Sequence, residues 1–264
     1  MNIPEQVTIA TANTYFGHTT RIDDGLAPIA RVDILLLQEV FNPTVDQLPQ
    51  KLTEAGFKLV RATGRYGLVI ALRSDSAVSF VEGSVREHTL APIGILEKQL
   101  ARRFAKQKHE FTQRGLLAAK FKTHRGATFT VATTHPAVAV TPRRRAAQID
   151  KIASELENPY YGGKLILTGD MNHYPDAKPV DKALWRKANL TLVDLNGEST
   201  YSVRGSKQEK YFRIAAALQR RPIESYDGQL DDVLYRGEGI ESISTTVTDI
   251  QSDHRSVVVT FSIG

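Results

Sequence analysis

The sequence predicts an α/β sandwich in which two β-sheets pack face to face with helices outside them. Three observations point there. Apolar runs rich in Val, Ile, Leu, Phe and Thr outnumber helical patterns. The helical patterns do not alternate regularly with those runs, as they would in a simple parallel sheet. Polar residues stand just past the ends of several runs, where a sheet interior gives way to an edge.

Taken in order, strand-like runs lie at 6–12, 33–38, 57–61, 67–73, 77–82, 114–121, 127–134, 164–169, 230–235 and 256–262. Between them, residues 44–56 place Val45, Leu48, Leu52 and Ala55 at helical spacing, stopped by Gly56 and weakened by Pro49. Residues 141–159 read as a stronger helix. Thr141 is its cap, Pro142 takes the first turn, and Ala146, Ile149, Ile152, Ala153 and Leu156 form one face. A third helix is expected over 176–190. The basic, poorly periodic segment 88–112 reads as an inserted loop or helix beside the site. With no Ser/Gly-rich linker, repeat or low-complexity tract, residues 1–264 read as one domain.

Composition narrows the chemistry. The chain has 264 residues and no cysteine, so disulfides and thiolate metal sites are excluded, and any metal must be held by oxygen or imidazole. The start lacks a basic region followed by an apolar one, and no apolar run approaches the roughly 20 residues needed to span a bilayer. The expectation is a cytoplasmic protein without a transmembrane segment. The net charge of +5 is clustered: Lys98 to Arg125 hold nine Lys or Arg and one acid, and Arg143, Arg144 and Arg145 are consecutive. A polyanionic partner fits that pattern as well as a solvated basic surface does.

The polar strand ends carry the chemistry. "VTIATAN" ends at Asn13, "DILLLQE" at Glu39, "TFTVATTH" at His135, and "KLILTGDMN" at Asp170 and Asn172; Asp253 and His254 just precede the last run. "QLDDVLY" sets Asp231 and Asp232 in an apolar run, where neighbours point to opposite faces, so one is expected inward and the other solvated. Singly, most have an ordinary reading as a turn, cap or satisfied structural residue, whereas Glu39, after four apolar residues, needs a partner or a metal. Together, carboxylate and amide oxygens suit Mg²⁺ or Mn²⁺, and two histidines beside them suit phosphoester hydrolysis.

In order and wording, "TAN", "LLLQE", "TTHP", "GDMN", "LDDVL" and "SDH" resemble the successive motifs of the endonuclease/exonuclease/phosphatase superfamily of DNase I-like proteins, from Asn13 to His254. The resemblance implies a four-layer α/β sandwich of two mixed sheets flanked by helices, and a Mg²⁺- or Mn²⁺-dependent phosphodiesterase. It implies that Glu39 binds the metal, with Asn13 and Asp253 as ligands or supports. It further implies that Asp170 orients or deprotonates the attacking water and that Asn172 holds a phosphate oxygen. His135 and His254 would contact the phosphate, His254 polarised by an inward Asp231. Thr133 stands where many members have Asn, and Tyr15 stands where apurinic endonucleases carry Asp, which argues against a dedicated abasic-site enzyme. "GLVIALRS" is similar to a stretch in the sphingomyelinase and tyrosyl-DNA phosphodiesterase branches.

The expected substrate is nucleic acid, with DNA favoured by the basic clusters. Arg114, Arg143, Arg144, Arg145 and Tyr201 are the expected contacts. A phospholipid head group or a small phosphorylated metabolite is the alternative, and a non-catalytic binding module on the same fold is a third reading.

Overall fold

The structure is a computed structural model that describes residues 4–14, 26–40, 44–92, 113–137, 142–172, 178–202, 227–250, 252 and 254–264. The first half runs through β1 (Glu5–Asn13), a 3-10 turn (Ala27–Ile29), β2 (Ile34–Gln38), α1 (Thr44–Glu54), β3 (Phe57–Thr63), β4 (Leu68–Arg73), β5 (Ser79–Phe80) and β6 (Arg86–Thr89). The second half comprises β7 (Gly115–Lys122), β8 (Thr128–Thr134), α2 (Pro142–Leu156), a 3-10 turn (Pro159–Tyr161), β9 (Lys164–Asp170) and α3 (Lys178–Lys187). It ends with β10 (Thr191–Leu192), β11 (Tyr201–Ser202), β12 (Asp227–Gly228), β13 (Asp231–Arg236), β14 (Ile240–Asp249) and β15 (Arg255–Ile263).

Two mixed sheets form. The first has the order β14-β15-β1-β2-β4-β3, the second β10-β13-β9-β8-β7-β5, with β6 also on β7. Each holds one central parallel pair, β1–β2 and β8–β9, among antiparallel neighbours. The two pairs are therefore equivalent: each is flanked by antiparallel strands on both sides.

Side-chain alternation builds the layers. In β2, Ile34 and Leu36 enter the apolar space between the sheets, while Leu35 and Leu37 face α1 and the first 3-10 turn. In β9, Ile166 enters the central space, while Leu165 and Leu167 pack with Ile149, Ile152 and Leu156 of α2 and Trp185 of α3. Burial on both faces is why these strands read as unbroken apolar runs. The described layers are thus helix, sheet, sheet, helix. Beneath one edge the central layer turns polar: Gln38 Nε2 donates to Thr11 Oγ1 at 3.0 Å and to Thr133 Oγ1 at 2.9 Å, joining the two sheets through one side chain.

The helix expected over 44–56 forms as α1 with Pro49 inside it, because Leu48 and Leu52 are fully buried and hold it against the first sheet; two other local readings need revision. The first residues of the segment read as an insertion, His88 and Thr89, complete strand β6 on β7; residues 93–112 lie outside the described residues. The long strand β14 stands where no apolar run marks it: it is an edge strand whose Ser and Thr alternate with few apolar residues.

Candidate active site

The parallel strands bring their C-terminal ends to one edge, and alternation decides what arrives there. Val7 and Ile9 face the central space, so Asn13 does too; Phe129 and Val131 set the same direction for His135, and Ile166 sets it for Asp170. Strand β13 starts at this edge, and its Asp231 pairs in register with Asp170. Val233 faces inward, so Asp231 does also. Glu39 breaks the pattern. Simple alternation after Gln38 would turn it toward the outer layer, but its φ of 62° brings the carboxylate to the site. A non-glycine residue in that region is held against a cost of about 1–3 kcal/mol.

One oxygen is the hub. Asp170 Oδ2 accepts from Asn13 Nδ2 at 2.9 Å and lies 3.4 Å from His135 Nε2 and 3.6 Å from His254 Nε2. Glu39 Oε1 is 3.7 Å from His135 Nε2. Behind the histidines, Asp231 Oδ2 is 2.8 Å from His254 Nδ1, and Arg114 Nη1 is 2.9 Å from His135 Nδ1. The Tyr201 ring tilts over His254 with centroids 4.8 Å apart.

Burial affects both facing carboxyls, and their neighbours separate them. For Asp170, burial alone raises the pKa. The charge of His254, the His135 hydrogen bond and the Asn172 backbone N–H overcome this and hold it well below the usual carboxylate range. Asp231 is pushed upward by burial, beyond what His254 offsets, and the nearby Asp170 charge adds to the rise. Two like-charged groups whose titrations are driven apart can serve as one ionised acceptor and one proton-sharing partner.

The loops are held from behind. Gly169 has φ 144°, and a Cβ there would strike the Thr134 carbonyl oxygen. Asp170 Oδ1 accepts from Asn172 N at 2.8 Å, and Asn172, itself at φ 49°, donates from Nδ2 to Pro136 O at 2.9 Å. Gln148 of α2 accepts from Ala137 N at 2.9 Å, securing the turn after His135. Thr200 Oγ1 accepts from Leu230 N and Asp231 N, both at 3.0 Å, and Ser252 Oγ donates to Asn13 O at 2.8 Å.

The structure thus gathers Asn13, Glu39, His135, Asp170, Asn172, Asp231, His254 and Tyr201. Asp253 lies outside the described residues, as does Tyr15. Arg143 and Arg144 are exposed on the first turn of α2. Arg145 is not a surface contact: it is 2% exposed and donates to Met171 O and, at 3.1 Å, to Asp181 Oδ2. Helical rotation turns this third arginine of the run inward. Asp232 is not solvated either, being 2% exposed with Oδ1 accepting from Gln229 Nε2 at 2.8 Å. Gln38 was missed as a site support, although an amide closing four apolar strand residues is itself a signal of a buried polar partner.

The donor chemistry fits a hard divalent cation. Carboxylates of Glu39, Asp170 and Asp231 converge with an amide and imidazoles, and Asp231 Oδ1 is buried with no hydrogen-bond partner among the described residues. Asp170, Asp231 and His254 each offer a donor within 4.8 Å of the others, a group that could hold a metal ion. That trio differs from the Glu39, Asn13 and Asp253 set that the sequence suggested, and its His254–Asp231 contact is already a hydrogen bond.

The sequence model of the Endonuclease/Exonuclease/phosphatase family matches residues 10–254, which span every strand-end residue of the site. The chain belongs to the endonuclease/exonuclease/phosphatase family. Among solved structures, D. rerio TDP2 complexed with single strand DNA product is similar at 16% identity and TM-score 0.68, over 97% of this chain and 99% of that one. The human Nocturnin catalytic domain with bound sulfate anion is 18% identical with TM-score 0.64, over 100% and 97%. An endonuclease/exonuclease/phosphatase family protein from Bacteroides thetaiotaomicron is 15% identical with TM-score 0.64, over 99% of both chains. At these identities the likeness is one of fold. No curated protein matches the sequence.

Proposed function

We propose that this endonuclease/exonuclease/phosphatase family protein is a divalent-metal-dependent phosphodiesterase that hydrolyses nucleic acid, DNA in particular. One observation carries the reading: Asn13, His135 and His254 all approach a single low-pKa oxygen, Asp170 Oδ2, within 3.6 Å, with Glu39 alongside. Glu39 and Asn13 would hold the ion, because the Asp231–His254 pair is engaged with itself; when bound, the ion supplies Lewis-acid stabilisation of charge on phosphate oxygens.

The protein's own groups divide the remaining work. Asp170 orients a water and takes its proton as the water oxygen bonds to phosphorus. The bond from phosphorus to the departing sugar oxygen breaks, and His254, backed by Asp231, is placed to give that oxygen a proton. The Asn172 amide carries a second N–H beyond the one given to Pro136, available to a phosphate oxygen. Arg143 and Arg144 lie exposed on α2, which begins just beyond the loop after His135, where they can meet a polymer backbone. The DNA product held on the same fold by D. rerio TDP2 is in keeping with that substrate class.

A panel of plasmid DNA, single-stranded DNA, RNA and sphingomyelin vesicles, each with and without Mg²⁺ or Mn²⁺, tests the reading beside Asp170→Asn. We expect metal-dependent DNA cleavage that falls by roughly 100- to 10,000-fold in the variant. Unreduced activity in Asp170→Asn would remove the mechanism, and cleavage of sphingomyelin alone would move the enzyme to the phospholipid reading.

A further inference from the structure

The two site histidines face partners of opposite hydrogen-bonding character. His254 Nδ1 meets the Asp231 carboxylate at 2.8 Å, an acceptor, so that nitrogen carries a proton. His135 Nδ1 meets Arg114 Nη1 at 2.9 Å. A guanidinium only donates, so His135 Nδ1 must present its lone pair, and the ring proton belongs on Nε2. We infer that Arg114 is a positioning residue that fixes His135 as the Nε2–H tautomer, making it a dedicated hydrogen-bond donor toward the reacting centre.

The surroundings of Arg114 suit this role better than that of a phosphate clamp. It stands immediately before β7, and its carbonyl accepts from Leu90 N at 2.8 Å, which ties it to the strand pair. Its Nε is buried without a partner among the described residues, so the guanidinium is directed into the protein rather than along the surface. Next to it, a Cβ on Gly115 would come within 2.5 Å of the Tyr66 ring, so the backbone there has little freedom to swing Arg114 away.

The consequence is a division of labour around Asp170 Oδ2. His135 Nε2, 3.4 Å away, is a fixed donor that can aim at Asp170 and, with substrate present, at a phosphate oxygen. His254 Nε2, 3.6 Å away on the other side, is the position at which a proton can be exchanged. Partners behind a functional imidazole commonly select its tautomer, and the usual partner is a carboxylate or carbonyl. Here one histidine has that kind of partner and the other has its inverse.

The kinetic part of this inference rests on the phosphodiesterase reading; the tautomer does not. The test is nitrogen-15 NMR of the metal-free full chain labelled at histidine, with His135 assigned by its loss in His135→Gln. In the unsubstituted protein we expect His135 protonated at Nε2 and bare at Nδ1, with His254 protonated at Nδ1. Arg114→Lys, which keeps a donor, should retain the His135 pattern, whereas Arg114→Met should lose it. On bis(p-nitrophenyl) phosphate with Mn²⁺, Arg114→Met should lower kcat roughly 10- to 100-fold with little change in KM, and Arg114→Lys should recover part of the loss. A His135 ring protonated at Nδ1 in the unsubstituted protein overturns the inference, as does a rise in KM alone in Arg114→Met. If Arg114→Met does not fold, the spectra of the unsubstituted protein and of Arg114→Lys still decide. An enzyme inert toward every phosphoester would sink the proposed function while leaving the spectrum to judge the tautomer.

Discussion

Gly169 is the point at which the site allows no side chain. Its φ of 144° and the Thr134 carbonyl facing it leave no room for a Cβ, and the obstacle is backbone, which cannot rotate aside. Gly169→Ala should therefore cost about 3 kcal/mol or more, seen as a lower urea midpoint, and should displace Asp170 enough to lower kcat as well. Tyr161 presents the opposite case. Its hydroxyl is buried without a hydrogen-bond partner among the described residues, and burial pushes its pKa well above the ordinary tyrosine value. Below about pH 10 both folded and unfolded chains keep this proton; above it the unfolded chain releases it first, so stability falls as pH rises. Tyr161→Phe should raise stability near neutrality by about 1 kcal/mol and flatten the alkaline decline, both measurable by thermal melts across pH.

At the scale of the element, helix α2 supports the loops of the candidate site. It sends Arg145 to the Met171 carbonyl and Asp181, and Gln148 to the Ala137 N–H. Arg145→Met leaves Asp181 buried without this cation, which should cost about 3–5 kcal/mol and lower kcat by loosening the Asp170–Asn172 turn. Adding Asp181→Leu should restore much of the stability but not the activity; recovery of neither would mean that the pair is not what the helix contributes.

Arg145 also shows the limit of reading charge from sequence. Three consecutive arginines look alike on paper, yet helical rotation sends Arg145 inward and leaves Arg143 and Arg144 in solvent. Strands buried on both faces were legible because nothing polar interrupts them; alternation showed that only one of Asp231 and Asp232 faces Asp170, and the family resemblance picked Asp231. Strand β14 was not legible, since an edge strand needs no apolar stripe; even its exposed Ile243 sits where the register with β15 shifts. Arg114 was read as a substrate contact, and its place behind His135 was not legible, because that partner lies 21 residues away, just past the end of the neighbouring strand.

At the scale of the molecule, the two equivalent parallel pairs aim their ends at a common edge, and the exposed Arg143 and Arg144 share the first turn of α2 with Arg145, which reaches the Met171 carbonyl. If a polymer backbone lies across that edge, affinity must fall with salt. Replacing both arginines by Ala should reduce the slope of log affinity against log salt on duplex DNA by about 2, while leaving the kcat for a small phosphodiester nearly unchanged. A slope that does not move would place the backbone elsewhere. Among the described residues no helix is long and apolar enough to cross a membrane.

The pairing of β1 with β15, Glu5 opposite Ile263, has a consequence in time as well as in space. Strand β15 sits between β14 and β1, and His254 stands at its head, so the cluster around Asp170 draws on residues made at opposite ends of this sequence. During synthesis, β1 waits with an open edge and Asp170 lacks one of its two imidazoles until residues 254–263 have emerged. Closing so long a loop is a slow step. A growing chain cannot complete this cluster early, and an unfinished fragment that ends before His254 lacks one of the two imidazoles that flank Asp170.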